Sequence, residues 1–107
     1  MSLSRLDLLE QYYKEDPNDP FNVYALALEY QKTDPLRSRD LFEKLLTEHT
    51  GYLPTYYHAA RLFADINEGA KAKSVYEKGI ALAKQKLDNK ALRELQSAYN
   101  EFLFEHD

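Results

Sequence analysis

The sequence predicts an all-α protein, a short α-solenoid of about six antiparallel helices built from repeated helix–turn–helix units. Three observations carry that reading. Apolar residues recur at helical spacing between the breaks, and no alternating β-branched stretch competes with them. The breaks are Asp-Pro, Thr-Gly and Asn-Glu, which stop one helix and start the next. Slid on itself by about 34 residues, the chain places Pro20 on Pro54, Ala25 on Ala59, Leu28 on Leu62, Phe42 on Tyr76, Glu43 on Glu77, Lys44 on Lys78 and Leu46 on Ile80.

The first helix runs from Ser4 to Glu15, with Leu6, Leu9 and Tyr13 at helical spacing and Leu8 and Tyr12 beside them. Ser4 serves as N-cap, and Asp7 sits near the free amides of the first turn. Asp16-Pro17-Asn18-Asp19-Pro20 ends it, because a residue before proline avoids the helical region. Asp19 caps the second helix and Pro20 fills its first turn, where a missing N–H costs nothing. That helix covers about Phe21 to Lys32, with Val23, Leu26, Ala27 and Tyr30 on one face.

Thr33-Asp34-Pro35 repeats the device for the third helix, about Leu36 to Glu48, where Leu41, Phe42, Leu45 and Leu46 are apolar. Gly51 is expected to take the left-handed conformation that ends many helices. Pro54 opens a fourth helix, about Thr55 to Ile66, and Asn67 is expected to cap a fifth that reaches Lys86. Asp88 caps the sixth, in which Ala91, Leu92, Leu95, Ala98, Tyr99, Phe102 and Leu103 form one amphipathic stripe.

A chain of 107 residues, 44% hydrophobic and 30% charged, is one domain's worth of ordinary globular material. Fourteen Lys and Arg against 18 Asp and Glu leave a net charge of −4, which argues against nucleic acid as a partner. The absence of Cys excludes disulfides, thiolate metal sites and thiol nucleophiles. The amino terminus shows no apolar run with basic flanks, and no stretch approaches the roughly 20 apolar residues of a membrane span. The expectation is a cytoplasmic protein with no membrane partner.

Within the first helix of each unit an offset of 33 fits better, placing Ala27 on Ala60 and Tyr30 on Phe63; a turn one residue shorter at Asp34-Pro35 than at Asn67-Glu68 would produce it. Small residues thus recur where helices cross, with aromatics at set distances. The pattern positions are Leu26-Ala27, Tyr30, Ser38, Phe42 and Leu45, then Ala59-Ala60, Phe63, Ala72, Tyr76 and Gly79. In these residues the chain resembles the tetratricopeptide repeat family, over roughly Leu6 to Lys86, and its layout is similar to short stand-alone bacterial members.

The resemblance implies a right-handed solenoid in one domain. A half-repeat helix (4–16) precedes repeat 1 (19–52) and repeat 2 (53–86), and a capping helix (88–105) closes the stack. There are departures. Val23 and Tyr56 stand where an aromatic often opens a repeat, and His49-Thr50-Gly51 stands where a proline usually closes one.

Chemistry finds no foothold. His49, His58 and His106 lie in different elements, with no further ligand at metal-binding spacing. No glycine-rich phosphate loop, nucleophile elbow or paired-carboxylate motif is present. The expectation is a non-enzyme without metal or cofactor.

The resemblance places a protein-binding surface on the concave face, lined by the first helix of each repeat. Carried across, that face holds Tyr24, Leu28, Gln31 and Lys32 in repeat 1, and Tyr57, Arg61, Ala64 and Asp65 in repeat 2. Chaperone-binding members grip a C-terminal carboxylate with Lys, Asn and Arg at such places; Tyr24, Leu28 and Tyr57 stand there instead, and Arg61 alone does not make that clamp. The implied function is a protein-interaction module that takes a peptide or protein segment. Two alternatives compete with it. Tyr99 and Phe102 of the sixth helix could fill the groove against the tyrosines. The apolar end Tyr99-Asn100-Glu101-Phe102-Leu103-Phe104 could instead make a homodimer.

Overall fold

The computed structural model describes residues 3–106, and among them six α-helices and no strand. They are α1 (Arg5–Glu15), α2 (Pro20–Tyr30), α3 (Pro35–Glu48), α4 (Pro54–Asp65), α5 (Gly69–Gln85) and α6 (Asn89–Glu105). The chain divides into two compact units, one ending at Tyr52 and the other beginning at Leu53.

The helix starts follow the local chemistry. Ser4 Oγ accepts from the Asp7 amide while Asp7 reaches back to the Ser4 amide, a complete capping box. Asp19, Asp34 and Asp88 each accept a hydrogen bond from a first-turn amide of the helix they precede, those of Phe21, Arg37 and Ala91. Pro20, Pro35 and Pro54 occupy first turns.

In the first unit α2 packs on both α1 and α3. Arg5 pairs with Glu29 at 3.0 Å, and Tyr30 donates to Glu10 at 2.5 Å. At the other end of α1 the Asn22 amide reaches the Tyr12 carbonyl at 3.2 Å, so α1 and α2 run antiparallel. Ser38 is fully buried where α3 meets α2, and its hydroxyl donates to the Ala27 carbonyl at 2.7 Å. Val23 and Leu26 of α2 and Leu41, Phe42 and Leu45 of α3 are buried as well.

In the second unit α5 is the central helix. Gly79 faces Tyr56 of α4, and Lys71, two turns earlier, lies 5.0 Å over the ring of Phe63. On its other flank Gly79 approaches Leu95 of α6, while Tyr76 meets Tyr99 and Phe102. Both sets of contacts run in opposite senses along the chain, so α5 is antiparallel to α4 and to α6. Ala59, Ala60, Phe63 and Ala72 are fully buried. The small residues named from the repeat pattern are therefore the crossing points.

Four expectations give way. Gly51 does not adopt a positive φ. Helix α3 ends instead on His49, where the chain leaves the helix and turns through a Tyr52 N–H to His49 C=O hydrogen bond toward Pro54. Asn67 does not cap α5. It takes φ 65° at the end of α4, where Glu68 N–H reaches Phe63 C=O and Asn67 N–H reaches Ala64 C=O, a Schellman closure. Glu68 then holds the N-cap position of α5 without a side-chain bond.

Helix α2 stops at Tyr30, which leaves Gln31 and Lys32 in the turn. The one-residue difference between the repeats is also in helix rather than turn. Helix α4 continues two residues beyond Phe63, to Asp65, whereas α2 ends on the matching Tyr30; the turn at 66–68 is a residue shorter than that at 31–34.

Candidate functional site

The period of α4 separates two faces. Tyr56, Ala59, Ala60 and Phe63 are buried, while Tyr57, Arg61, Ala64 and Asp65, spaced four, three and one apart, share the opposite face. Arg61 is exposed, and its Nη1 donates to the Tyr57 hydroxyl at 2.9 Å. Its guanidinium also lies 5.6 Å from the Tyr57 ring centroid, within cation–π range. The edge of His58 meets Tyr57 at 5.2 Å. Burial, and then the Arg61 charge, hold the His58 imidazole below its ordinary range.

Beside this pair the second unit has a cavity of about 140 Å³. Arg61, Ala64 and Asp65 of α4 form one wall, and Ala98, Glu101, Phe102 and Glu105 of α6 with His106 form the other. Tyr76 of α5 closes it. Tyr76 is only 3% exposed, and burial pushes its hydroxyl up to about 12 despite the opposing charge of Arg61. That hydroxyl therefore keeps its proton at neutral pH.

Tyr99 and Phe102 pack on Tyr76 of α5, and Phe102 also lines the cavity. Their rings lie 5.5 and 5.6 Å from Tyr76, and Phe102 is in turn covered by His106 at 4.4 Å. Tyr99 donates to Glu77 at 2.8 Å, which holds it at the outer side of α5. Helix α6 thus packs on α5, also touches α4, and walls the cavity opposite Arg61, Ala64 and Asp65.

The eight residues named from sequence fall in both units. Arg61, Ala64 and Asp65 line the cavity, and Tyr57 joins them through Arg61. Tyr24, Leu28, Gln31 and Lys32 belong to the first unit. Tyr24 is half-buried with its ring 5.6 Å from that of Tyr52, edge to face, so its surface is already engaged in part. Leu28 is half-buried, Gln31 is half-buried in the turn after α2, and Lys32 is exposed.

Tyr76, Glu101 and Glu105 also line the cavity but are not among the residues expected from sequence: in the sequence Tyr76 marks the repeat pattern, and α6 shows only its apolar stripe. The available signal was Glu101 and Glu105, acids of like sign one turn apart in the last turns of a helix, where carboxylates are unfavourable.

Among the described residues no group of three or more His, Cys, Asp or Glu is placed to hold a metal ion. None of the described helices is long and apolar enough to cross a membrane.

Two solved structures are similar to this chain. A crystal structure of a tetratricopeptide repeat domain protein from Salinibacter ruber is 38% identical, covering 78% of this chain and 94% of its own, with a TM-score of 0.74. A solution NMR structure of a tetratricopeptide repeat domain protein from the same organism is 39% identical, covering 81% and 89%, with a TM-score of 0.76. No protein-family model and no curated protein matches the chain.

Proposed function

The chain belongs to the tetratricopeptide repeat family, and we propose that it is a non-catalytic, cytoplasmic module that binds a peptide or protein segment through the α4 face. The fold is in general one of protein-interaction modules. The observation that carries the finer reading is the pair of exposed Arg61 and half-buried Tyr57 at the edge of the cavity. Arg61 forms no ion pair among the described residues, and its hydrogen bond goes to a side chain on its own helix face. Arg and Tyr combine contact area with directional donors, the residue chemistry of binding hot spots. Tyr24, Leu28, Gln31 and Lys32 are assigned the corresponding role in the first unit.

Capture from lysate identifies partners, and titration of a captured partner against the Tyr57→Ala, Arg61→Ala variant tests the site. Loss of a hot-spot pair weakens binding by about 2 kcal/mol or more, roughly 30-fold. Unchanged affinity for every captured partner would sink the assignment.

A second reading has its own observation. Phe104 on the last turn of α6 is 88% exposed, and with Leu103 it offers an apolar end for a second copy. A monomer mass that is independent of concentration by sedimentation removes that reading.

A further inference from the structure

The cavity of the second unit carries more charge than its local chemistry favours. Asp65 is the last residue of α4, and Glu101 and Glu105 stand in the last turns of α6. Helices α4 and α6 both run antiparallel to α5, so their carboxyl ends lie together at this cavity. A helix carboxyl end bears partial negative charge and favours Lys, Arg or His there, yet neither of these last turns holds a Lys or Arg. Glu101 and Glu105 also repel each other across one turn. No hydrogen bond or ion pair occupies any of the three carboxylates among the described residues. Departures from local consistency concentrate at functional sites.

An independent observation lies at the bottom of the same cavity. Tyr76 is 3% exposed, and its hydroxyl has no hydrogen-bond partner among the described residues. The hydroxyl is not sealed in the core: Tyr76 lines the cavity, so its oxygen is open to a donor that enters there. Its ring and that of Phe102 give the cavity aromatic surface as well. The cationic groups facing in are Arg61, whose Nη1 is engaged by Tyr57, and His106, whose Nδ1 donates to the Phe102 carbonyl at 2.9 Å.

We propose that this cavity receives a basic side chain, lysine or arginine, from the bound segment, so that the module selects cationic peptides. The proposal rests on the peptide-binding reading of α4 given above. Asp65, Glu101 and Glu105 accept the N–H donors of the incoming cation, the Tyr76 oxygen accepts another, and the aromatic faces hold the charge by cation–π attraction. The two helix carboxyl ends add to the potential. The net charge of the cavity lining changes from negative toward neutral on binding, which relieves the repulsion between Glu101 and Glu105.

The test uses capped synthetic octapeptide pools, randomised except for one central position held as Lys, Arg, norleucine, Gln or Glu, titrated by fluorescence anisotropy. Norleucine keeps most of the lysine stem and removes its charge. The Lys or Arg pool is expected to bind about tenfold tighter than the norleucine and Gln pools, and the Glu pool weakest. The Glu101→Gln, Glu105→Gln variant should lose that preference. A Glu48→Gln, Glu94→Gln variant, which removes the same charge away from the cavity, should keep it. Circular dichroism confirms that both variants remain helical.

Equal binding of the Lys, Arg and norleucine pools overturns the proposal. So does equal loss of preference in the two charge variants, since general attraction to an acidic chain would then explain it. In either case the peptide-binding reading stands if Tyr57→Ala weakens all pools alike. If no pool binds the parent protein, both readings fall.

Discussion

Replacing Gly79 with alanine sets two opposing effects against each other. In an exposed helix interior, Gly→Ala stabilises by about 1 kcal/mol through helix propensity. At Gly79 an added Cβ would lie 2.6 Å from Tyr56 Cβ, 3.2 Å from Tyr56 Cγ and 3.3 Å from Leu95 Cδ2. Carbon atoms pack best at about 3.5–4.0 Å, so the first contact overlaps by about 1 Å. Tyr56 Cβ is attached directly to the α4 backbone and cannot rotate away; α4 and α5 must separate. Overpacking of this kind costs about 1–3 kcal/mol, and a clash with a main-chain-anchored atom belongs in the upper half of that range.

The net effect is destabilisation by about 1–2 kcal/mol, or a fall in Tm of roughly 5–15 °C at about 4–8 °C per kcal/mol. Thermal and urea melts followed by circular dichroism at 222 nm measure it. Gly51→Ala and Gly69→Ala are the controls, because a Cβ at Gly51 meets nothing within 4 Å and one at Gly69 only reaches Phe102 Cζ at 4.0 Å. Both should stay within about 0.5 kcal/mol of the parent. If Gly79→Ala melts above the parent, as propensity alone requires, the close crossing of α4 and α5 is refuted.

Leu87 closes α5 in the left-handed region at φ 57° while 83% exposed, with Asp88 N–H on Ala83 C=O and Leu87 N–H on Lys84 C=O. A Schellman closure favours glycine at that position, so Leu87→Gly should stabilise the chain by about 0.5–1 kcal/mol, read as a higher Tm; a lower Tm would contradict the backbone assignment. Stability should also depend on pH through two groups. The His58 imidazole is depressed by burial and by Arg61, so the stability it brings is complete above its unfolded value of 6.5 and is lost as pH falls through the folded value. Urea midpoints between pH 7 and 5 should fall, and His58→Gln should flatten that slope. The Tyr76 hydroxyl is raised from 10.0 to about 12, so its contribution is complete below pH 10 and lost as pH rises from 10 toward 12. Alkaline melts of Tyr76→Phe against the parent should show that slope reduced.

Much of the fold was legible because it is written locally. Ser4, Asp19, Asp34 and Asp88 cap where their spacing to the first apolar turn indicates. Ala27, Ser38, Ala60, Ala72 and Gly79 mark crossings, since only small side chains let helix backbones meet, and their recurrence shows in the sequence itself. Local reasoning failed where two closures are possible. Gly51 and Asn67 both have left-handed capacity, but the Pro54 start makes it unnecessary at Gly51, and the tight α4–α5 turn makes it necessary at Asn67. Helix length misled in the same way: the residue assigned to a turn lies at the end of α4, which carries Asp65 to the cavity.

By itself the sequence determined the helix count, the repeat, the order of the helices and the presence of Tyr57 and Arg61 on one face of α4. These follow from periods and caps, which act over a few residues. The cavity was decided by tertiary structure alone. Whether Glu101 and Glu105 face Asp65 depends on the rotation of α6 about its axis, and that is set by Tyr99 and Phe102 packing on Tyr76, more than twenty residues away along the chain. A contact between distant residues leaves no period to read.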